Sequence, residues 1–387
     1  MEAPEAFLEG RSFENGQDLT IGLEEELQIL DPRTLHLTNK FGELKKAVPA
    51  DLDPWVKGEL IASEIEIATV RSQDFSSAAG DFLSKHRQLV ELALAHDLYL
   101  GATGVHPFSP WYDQEIIDTP HYRLVEGELR YVAWRNNTFS FHVHIGVKGR
   151  ERAILVCDAL RTFLPHLLAL SASSPFYEGR YTYLHSVRTQ LFAKNFPRCG
   201  LPDAFGSWAS YRRYLEFLYR SNSIHEDTQI WWSIRPHLQW GTVEVRICDA
   251  QPWPEDTLKI ASLVVALAAR VLLAVDRGEP LPVYPRCYLE ENFWRATRYG
   301  LGGLLVDLET EREVPAVEAI RGLLAWTRPV HDELCLKPYL EPLGEFMAAG
   351  NWARRQIRAY EAGHDLVAIH RYLAGLTMGL AVAGTCG

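Results

Sequence analysis

Four short segments alternate residue by residue between apolar and polar side chains: Thr20–Leu30 (TIGLEEELQIL), Ser63–Val70 (SEIEIATV), Phe141–Val147 (FHVHIGV) and Gly241–Ala250 (GTVEVRICDA). Successive side chains of a strand point to opposite faces, so each segment reads as a strand with two unlike sides. One side is apolar: Ile21, Leu23, Leu27 and Ile29 (interrupted by Glu25), Ile65 and Ile67, Phe141, Val143 and Ile145, then Val243, Val245 and Ile247. The other carries Gly22, Glu24, Glu26 and Gln28, Glu64 and Glu66, His142 and His144, and Thr242, Glu244 and Arg246. Paired in one sheet, these strands would pack one face on helices and display carboxylates, two imidazoles and a guanidinium on the other.

A polar strand face is ordinarily a solvated one. Solvated faces favour Lys, Thr, Ser and mixed charge, however, and the four polar sides hold no lysine. Carboxylates gathered within about 4–6 Å repel one another and raise each other's pKa, so collecting them implies a cation that offsets the repulsion.

At 387 residues and 47% hydrophobic, the chain is long enough to bury a large core. No linker or fixed-period repeat interrupts it, so one big domain or two closely joined ones are expected, taken as a single domain over 1–387, sheet-rich from 18 to 250 and mainly helical from 254 to 380. Helices are expected near Ser76–Asp97, with Ser76 or Ser77 as cap, near Glu151–Leu170, and near Ser207–Tyr219. A further helix should open at Pro254-Glu255-Asp256, run to about Val275 and stop before Gly278. Strands first and helices after predict an α+β fold with a largely antiparallel sheet covered on one face. Neither GxGxxG nor GxxxxGK[ST] occurs, which argues against a doubly wound nucleotide fold.

The net charge of −11 argues against nucleic acid as a partner, because phosphate neutralisation needs a basic stripe. The six cysteines form no CxxC pair, which suits free thiols in a reducing cytoplasm. The acidic N-terminus lacks an apolar h-region, and the oiliest run, Ile260–Val275, is broken by Arg270 and short for a bilayer; a cytoplasmic protein without a membrane span is expected.

His142-Val143-His144 sets two imidazoles on one strand face, roughly 7 Å apart along the strand. Such a pair also occurs in zinc hydrolases, but zinc wants three nitrogen or sulfur ligands and an open position. The company here is Glu24, Glu26, Glu59, Glu66 and Glu244, and oxygen-rich sites suit Mg²⁺ or Mn²⁺. Glu244 and Arg246 share a face, and an arginine beside acids and metals suits a clamp on phosphate or carboxylate. Arg235, in the run WWSIRPH, is a second candidate, with stacking on tryptophan as its competing role. The irregular stretch Phe176–Gly206 carries Arg180, Arg188, Lys194 and Arg198, and loops on a rigid scaffold commonly hold ligand contacts. Oxygen-bound divalent ions with cationic clamps are what phosphoryl transfer requires. The chemistry alone does not choose ATP over another phosphate substrate.

The blocks GLEEELQILDP, ELIASEIEIAT, GVHPFSP, FHVHIGV, SIRPHLQWGTVEVRICDAQPWPED and NFWRATRYGL resemble the signatures of the type 2 glutamate-cysteine ligase family, in order from Leu19 to about Leu376, and within it the carboxylate-amine ligase subgroup. RPHxxxGTxEVRxxDA is the specific part. The resemblance implies a glutamine-synthetase-like fold, a curved, mainly antiparallel sheet with helices on its outer face, a helical C-terminal part, and an active site on the polar concave face. It also implies the reaction: ATP phosphorylates a carboxylate, usually the γ-carboxyl of glutamate, and an amine attacks the acyl phosphate. Carried over by position, Glu24, Glu26, Glu59, Glu66, His142 and Glu244 would hold Mg²⁺ or Mn²⁺. Glu66 and Arg246 would be catalytic, with Arg246 on the transferring phosphate. Arg188 and Arg235 would steer ATP phosphates or the acid substrate, and His144 would be a ligand or a substrate contact. A homodimer is expected by analogy only. Two positions depart from the pattern: Ser140 stands where a glycine often precedes the HVH, and His121 where an arginine commonly precedes the tyrosine. The rival readings are a zinc hydrolase built on His142 and His144, and a non-catalytic relative that binds nucleotide or amino acid.

Overall fold

A computed structural model of the chain describes residues 4–380; Cys386 lies outside them. The strands of the main sheet are β1 (Ile21–Leu30), β2 (Val56–Lys57), β3 (Glu64–Ala68), β4 (Tyr99–Gly101), β5 (Phe141–Gly146), β6 (Ile234–His237) and β7 (Thr242–Val245). The sheet runs β6-β7-β5-β1-β3-β2, with β4 also on β1, and every pairing is antiparallel. The four alternating segments supply its four consecutive central strands, although the last is strand only over Thr242–Val245 and ends before Arg246, and the path does not close into a barrel.

Register decides which polar side chains meet. Glu24 lies opposite His142, His144 opposite Glu244, Glu26 opposite Glu66, Arg235 opposite Glu244, and Lys57 opposite Glu66. A shift of one residue in any pair would turn a polar row into the core, so burial of the apolar face holds this register.

That apolar face is covered by helices. Ile21, Leu23, Val143, Ile145, Val243 and Val245 share one core with Phe82 of α1 (Phe75–Ala95), and with Ile154 and Val264 from α2 (Arg150–Leu160) and α3 (Pro254–Arg277). A second core gathers Leu27, Ile29, Ile65 and Ile67 with Leu89 and Val90 of α1. The cap of α1 is Asp74 rather than Ser76 or Ser77: its carboxylate accepts from the Ser77 amide at 2.8 Å, as a residue just outside the first turn must. The helix near Glu151–Leu170 is broken by a 3-10 turn at Arg161–Phe163, where Pro165 opens the next helical segment.

α3 starts at Pro254, and Gly278, in the left-handed region at φ 63°, ends it. It is 24 residues long, longer than the apolar run suggested and long enough for a bilayer by length. It is a core helix, 78% of its apolar window being buried within the protein. Beyond residue 286 the chain is mainly helical, as expected, with one exception: Leu304–Asp307 pairs with Arg312–Pro315 as a hairpin. Those strands are four residues long and mostly polar or exposed, so they carry no clean alternation.

Glu25, the one acid on the oily side of β1, is fully buried. His86 of α1 donates from Nδ1 to Glu25 at 2.7 Å and from Nε2 to the Thr377 carbonyl at 2.8 Å. Both ring nitrogens face acceptors, so the imidazolium fits. Desolvation opposes that charge, but the Glu25 carboxylate outweighs it and raises the His86 pKa above 6.5. A raised histidine pKa contributes stability that is fully present below pH 6.5 and lost as pH rises through the folded-state value. We expect His86→Leu to cost about 3–5 kcal/mol in urea unfolding near pH 6, because it strands a buried carboxylate, and Glu25→Leu/His86→Leu to cost much less. The gap between wild type and His86→Leu should narrow at higher pH.

Candidate active site

The ten residues given site roles by the family resemblance, Glu24, Glu26, Glu59, Glu66, His142, His144, Arg188, Arg235, Glu244 and Arg246, line one cavity of about 380 Å³ on the polar face of the sheet, whereas Arg180, Lys194 and Arg198 do not. Glu24 is at its centre. Its Oε2 lies 3.1 Å from His142 Nδ1 and 3.5 Å from His144 Nε2. Glu244 Oε1 stands 3.9 Å from each histidine. Alternation puts Glu24 inward and antiparallel pairing brings both histidines to it, although more than a hundred residues separate them.

The two imidazoles are held from behind. Ser140 donates its backbone N–H and its hydroxyl to Glu26 Oε2, at 2.6 and 2.7 Å. Ser140 Oγ also lies 2.9 Å from His142 Nε2, and the other ring nitrogen, Nδ1, hydrogen-bonds Glu24 Oε2 at 3.1 Å, so both nitrogens of this ring are held. Thr242 Oγ1 bonds His144 Nδ1 at 3.0 Å, and Nε2 of His144, buried and without a hydrogen-bond partner, points among the carboxylates. Two groups of donors are thereby close enough for a cation: Glu24, Glu66 and His142, and Glu24, His144 and Glu244, each with ligand atoms within 4.8 Å of one another. Each group holds two carboxylates and one imidazole, a set that fits Mg²⁺ or Mn²⁺. Among the described residues neither group contains both histidines, which removes the basis for a zinc site built on that pair.

The charges sort into two classes. Burial alone would raise every carboxyl here. At Glu24 the neighbouring His144 and His142 overcome it and hold the group well below the usual range, and at Glu244 Arg235 and Arg246 do the same. Around Glu66, Glu64 and Glu59 the cations Lys57, Arg188 and Arg246 only partly offset burial and mutual repulsion. Burial, then repulsion from Glu24 and Glu59, pushes Glu66 well up; burial and Glu26 do so for Glu64; Glu59 is pushed to about 7 by burial and Glu26. An additional cation would be drawn to this second class.

The arginines are less free than the sequence suggests. Arg235 Nε donates to Glu244 Oε2 at 2.5 Å, and its Nη1 reaches the carbonyls of Thr228 and Ile230, so it props up Glu244 instead of stacking on tryptophan. Arg188 donates to the Ile247 and Arg246 carbonyls at 3.0 and 3.2 Å, with Asp249 3.6 Å away. It steadies the backbone that carries Arg246. Arg246 itself donates to Glu244 through Nη1 and keeps a buried Nε without a partner, aimed along the cavity wall. Of the other basic residues in 176–206, Lys194 pairs with Glu290 and Arg198 with the Gln229 carbonyl.

The model of glutamate-cysteine ligase family 2 matches residues 20–371. The chain belongs to that family. It is 40% identical over 319 residues to a candidate glutamate–cysteine ligase 2-2 of Rubrobacter xylanophilus, covering 82% of each chain. It is 39% identical over 356 residues to a candidate glutamate–cysteine ligase 2 of Solibacter usitatus, covering 92% of each. Its fold is similar to that of a glutamate–cysteine ligase from Francisella tularensis solved in complex with AMP (TM-score 0.67, 13% identity, 94% of this chain and 89% of that one). It also matches part of a bifunctional glutathione synthetase from Pasteurella multocida (TM-score 0.67, 18% identity, 96% of this chain and 53% of that one). The fold is glutamine-synthetase-like, and as a family 2 ligase the chain is an ATP-dependent enzyme acting on small molecules.

Several family blocks prove structural. In GVHPFSP, His106 donates to the Leu35 carbonyl and accepts from the Ser109 amide, fixing a loop. In NFWRATRYGL, the Thr297 carbonyl receives the amides of His185 and Ser186. His121, the second departure from the family pattern, lines the cavity 2.7 Å from Glu226, and the preceding residue of that segment, His225, pairs with Glu128 at 2.8 Å. Ser140, the first departure, orients two site residues. Sequence reading passed over Lys57, because β2 is only two residues long, and gave Glu64 no role although it is buried with Oε2 unpartnered.

A divalent ion can bind here only to deprotonated carboxylates, so it must displace protons from Glu66, Glu64 and Glu59 wherever these are held. We expect Mn²⁺ affinity measured by calorimetry to rise from about pH 6 to about pH 8, with a buffer-dependent enthalpy that reports proton release. Affinity independent of pH would show that the carboxylates are already charged.

Proposed function

We propose that this ligase joins the γ-carboxyl of glutamate to an amino-acid amine, with cysteine the first amine to test. The observation that carries the reading is the pair of three-donor groups sharing Glu24, flanked by Arg246. Divalent ions held by these groups would supply positive charge for a phosphoryl transfer between oxygens. The names of the relatives point to glutamate and cysteine.

In such a reaction the γ-phosphoryl of ATP passes to a carboxylate oxygen, and the amine nitrogen then attacks the carbonyl carbon and displaces phosphate. Divalent ions would supply charge neutralisation of the polyphosphate and of the oxygens exchanging phosphorus. Glu24, Glu66 and His142 would hold one ion, and Glu24, His144 and Glu244 the other, with Glu26 and Glu59 lining the same cavity. Arg246 would turn its unpartnered Nε toward the transferring phosphate. Arg235 and Arg188 act one step back: the first holds Glu244 charged and in place, and the second fixes the Arg246 backbone. Burial of this wall strengthens each of these interactions.

The test is a screen for phosphate release that crosses carboxylates against amines with ATP and Mn²⁺. Release that requires both an acid and an amine, with amide product, is expected; amide formation without ADP would overturn the reading. Arg246→Ala and Glu66→Ala should each lower kcat by about 10²–10³ or more, since each acts mainly on transition-state charge. Near-wild-type turnover in either would remove that residue from the catalytic set. Arg246→Lys should recover little, because an ammonium lacks the guanidinium fork.

A further inference from the structure

Lys57 is the one lysine on the polar face of the sheet, at the end of β2 directly opposite Glu66. Its Nζ lies 3.4 Å from Glu66 Oε1 and 3.8 Å from Glu24 Oε1, carboxylates of the first three-donor group. The same ammonium lies 5.2 Å from the centre of the Trp240 ring. The side chain keeps 44% of its surface exposed. It also stands between two spaces. Besides the 380 Å³ cavity, Lys57 lines an adjoining cavity of about 510 Å³ whose wall includes Trp55, Arg71 and Trp240, and the two share Glu24 and His144.

We propose that Lys57 is a placeholder cation that neutralises Glu24 and Glu66 before metal binds and then moves onto the polyphosphate of the nucleotide, coupling metal loading to nucleotide binding. The inference rests on the ligase reading above. Its physical basis is like-charge exclusion: an ammonium 3.4 Å from Glu66 cannot keep that position when a divalent ion takes the same carboxylate. Lysine suits the exchange. A compact charge on a flexible four-carbon stem reorients without breaking a bidentate fork, whereas Arg235 and Arg246 are tied to Glu244. The two carboxylates at 3.4 and 3.8 Å hold the ammonium where it now lies. Displaced from the acids, it borders the adjoining cavity, one wall of which is the Trp240 ring that this ammonium already faces at 5.2 Å. Cation displaced and anion gained are the two halves of one movement.

The halves predict changes of opposite sign in one variant. Lys57→Gln removes the charge and keeps most of the length. Mn²⁺ alone, titrated calorimetrically into the nucleotide-free protein, should bind about tenfold tighter to Lys57→Gln than to wild type, because nothing competes for Glu24 and Glu66. A non-hydrolysable ATP analogue, titrated at saturating Mn²⁺, should bind about tenfold more weakly, because a phosphate contact is gone. Lys57→Arg should restore analogue binding toward wild type. Weaker or unchanged Mn²⁺ binding in Lys57→Gln would overturn the placeholder role, and unchanged analogue affinity would overturn the movement onto phosphate. A wild-type protein that binds Mn²⁺ but no ATP analogue would instead overturn the ligase reading itself. Thermal unfolding of each variant shows that the fold is intact.

Discussion

Mutual repulsion among buried carboxylates is the constraint on which the rest of this structure depends. Glu24, Glu26, Glu64, Glu66 and Glu244 lie on one sheet face and all are buried. Unmatched, such a cluster would protonate or open the sheet. The protein compensates with two imidazoles, two arginines and one lysine, and leaves Glu66, Glu64 and Glu59 with raised pKa values. The incompletely neutralised part is the part a divalent cation would complete.

Much of the remaining architecture serves that wall. Arg235 holds Glu244 and is itself held by the carbonyls of Thr228 and Ile230. Arg188 grips the backbone of Ile247 and Arg246, and Asp249 beside it accepts from Ser173, Ser174 and Ser186. These contacts tie the C-terminal end of β7 to the loops around 173 and 186, so the direction of Arg246 depends on segments distant in the chain. The opposite face gives the sheet the rigidity that such positioning needs: α1, α2 and α3 cover it, and the buried Glu25–His86 pair pins β1 to α1.

The sequence was most legible where the alternation was cleanest. Thr20–Leu30, Ser63–Val70 and Phe141–Val147 became strands within a residue or two of the predicted ends, and their polar residues line one cavity. Helix starts were less legible: Asp74 and not a serine caps α1, because several candidates stand side by side and only the hydrogen bond to Ser77 distinguishes them. Lys57 escaped notice because a two-residue strand has no period to detect, and the hairpin at 304–315 because its strands are short and exposed. Ser140 was seen only as a departure in a motif. Its role lies in hydrogen bonds to Glu26 and His142, and the first of these spans 114 positions of sequence.

By itself the amino-acid order determined which side chains share a face, because the period of two in a strand is local. It therefore determined that Glu24, Glu66, His142, Glu244 and Arg246 would look the same way. Tertiary structure alone decided which of them touch. Glu24 belongs to both donor groups because β1 lies between β3 and β5, and His144 meets Glu244 because β7 pairs on the far side of β5. Those neighbours come from strand order and register, which depend on how the whole apolar face packs beneath its helices. The same packing turned Arg235 and Arg188 from free clamps into supports, since their nearest acceptors are carbonyls and acids brought in from other segments.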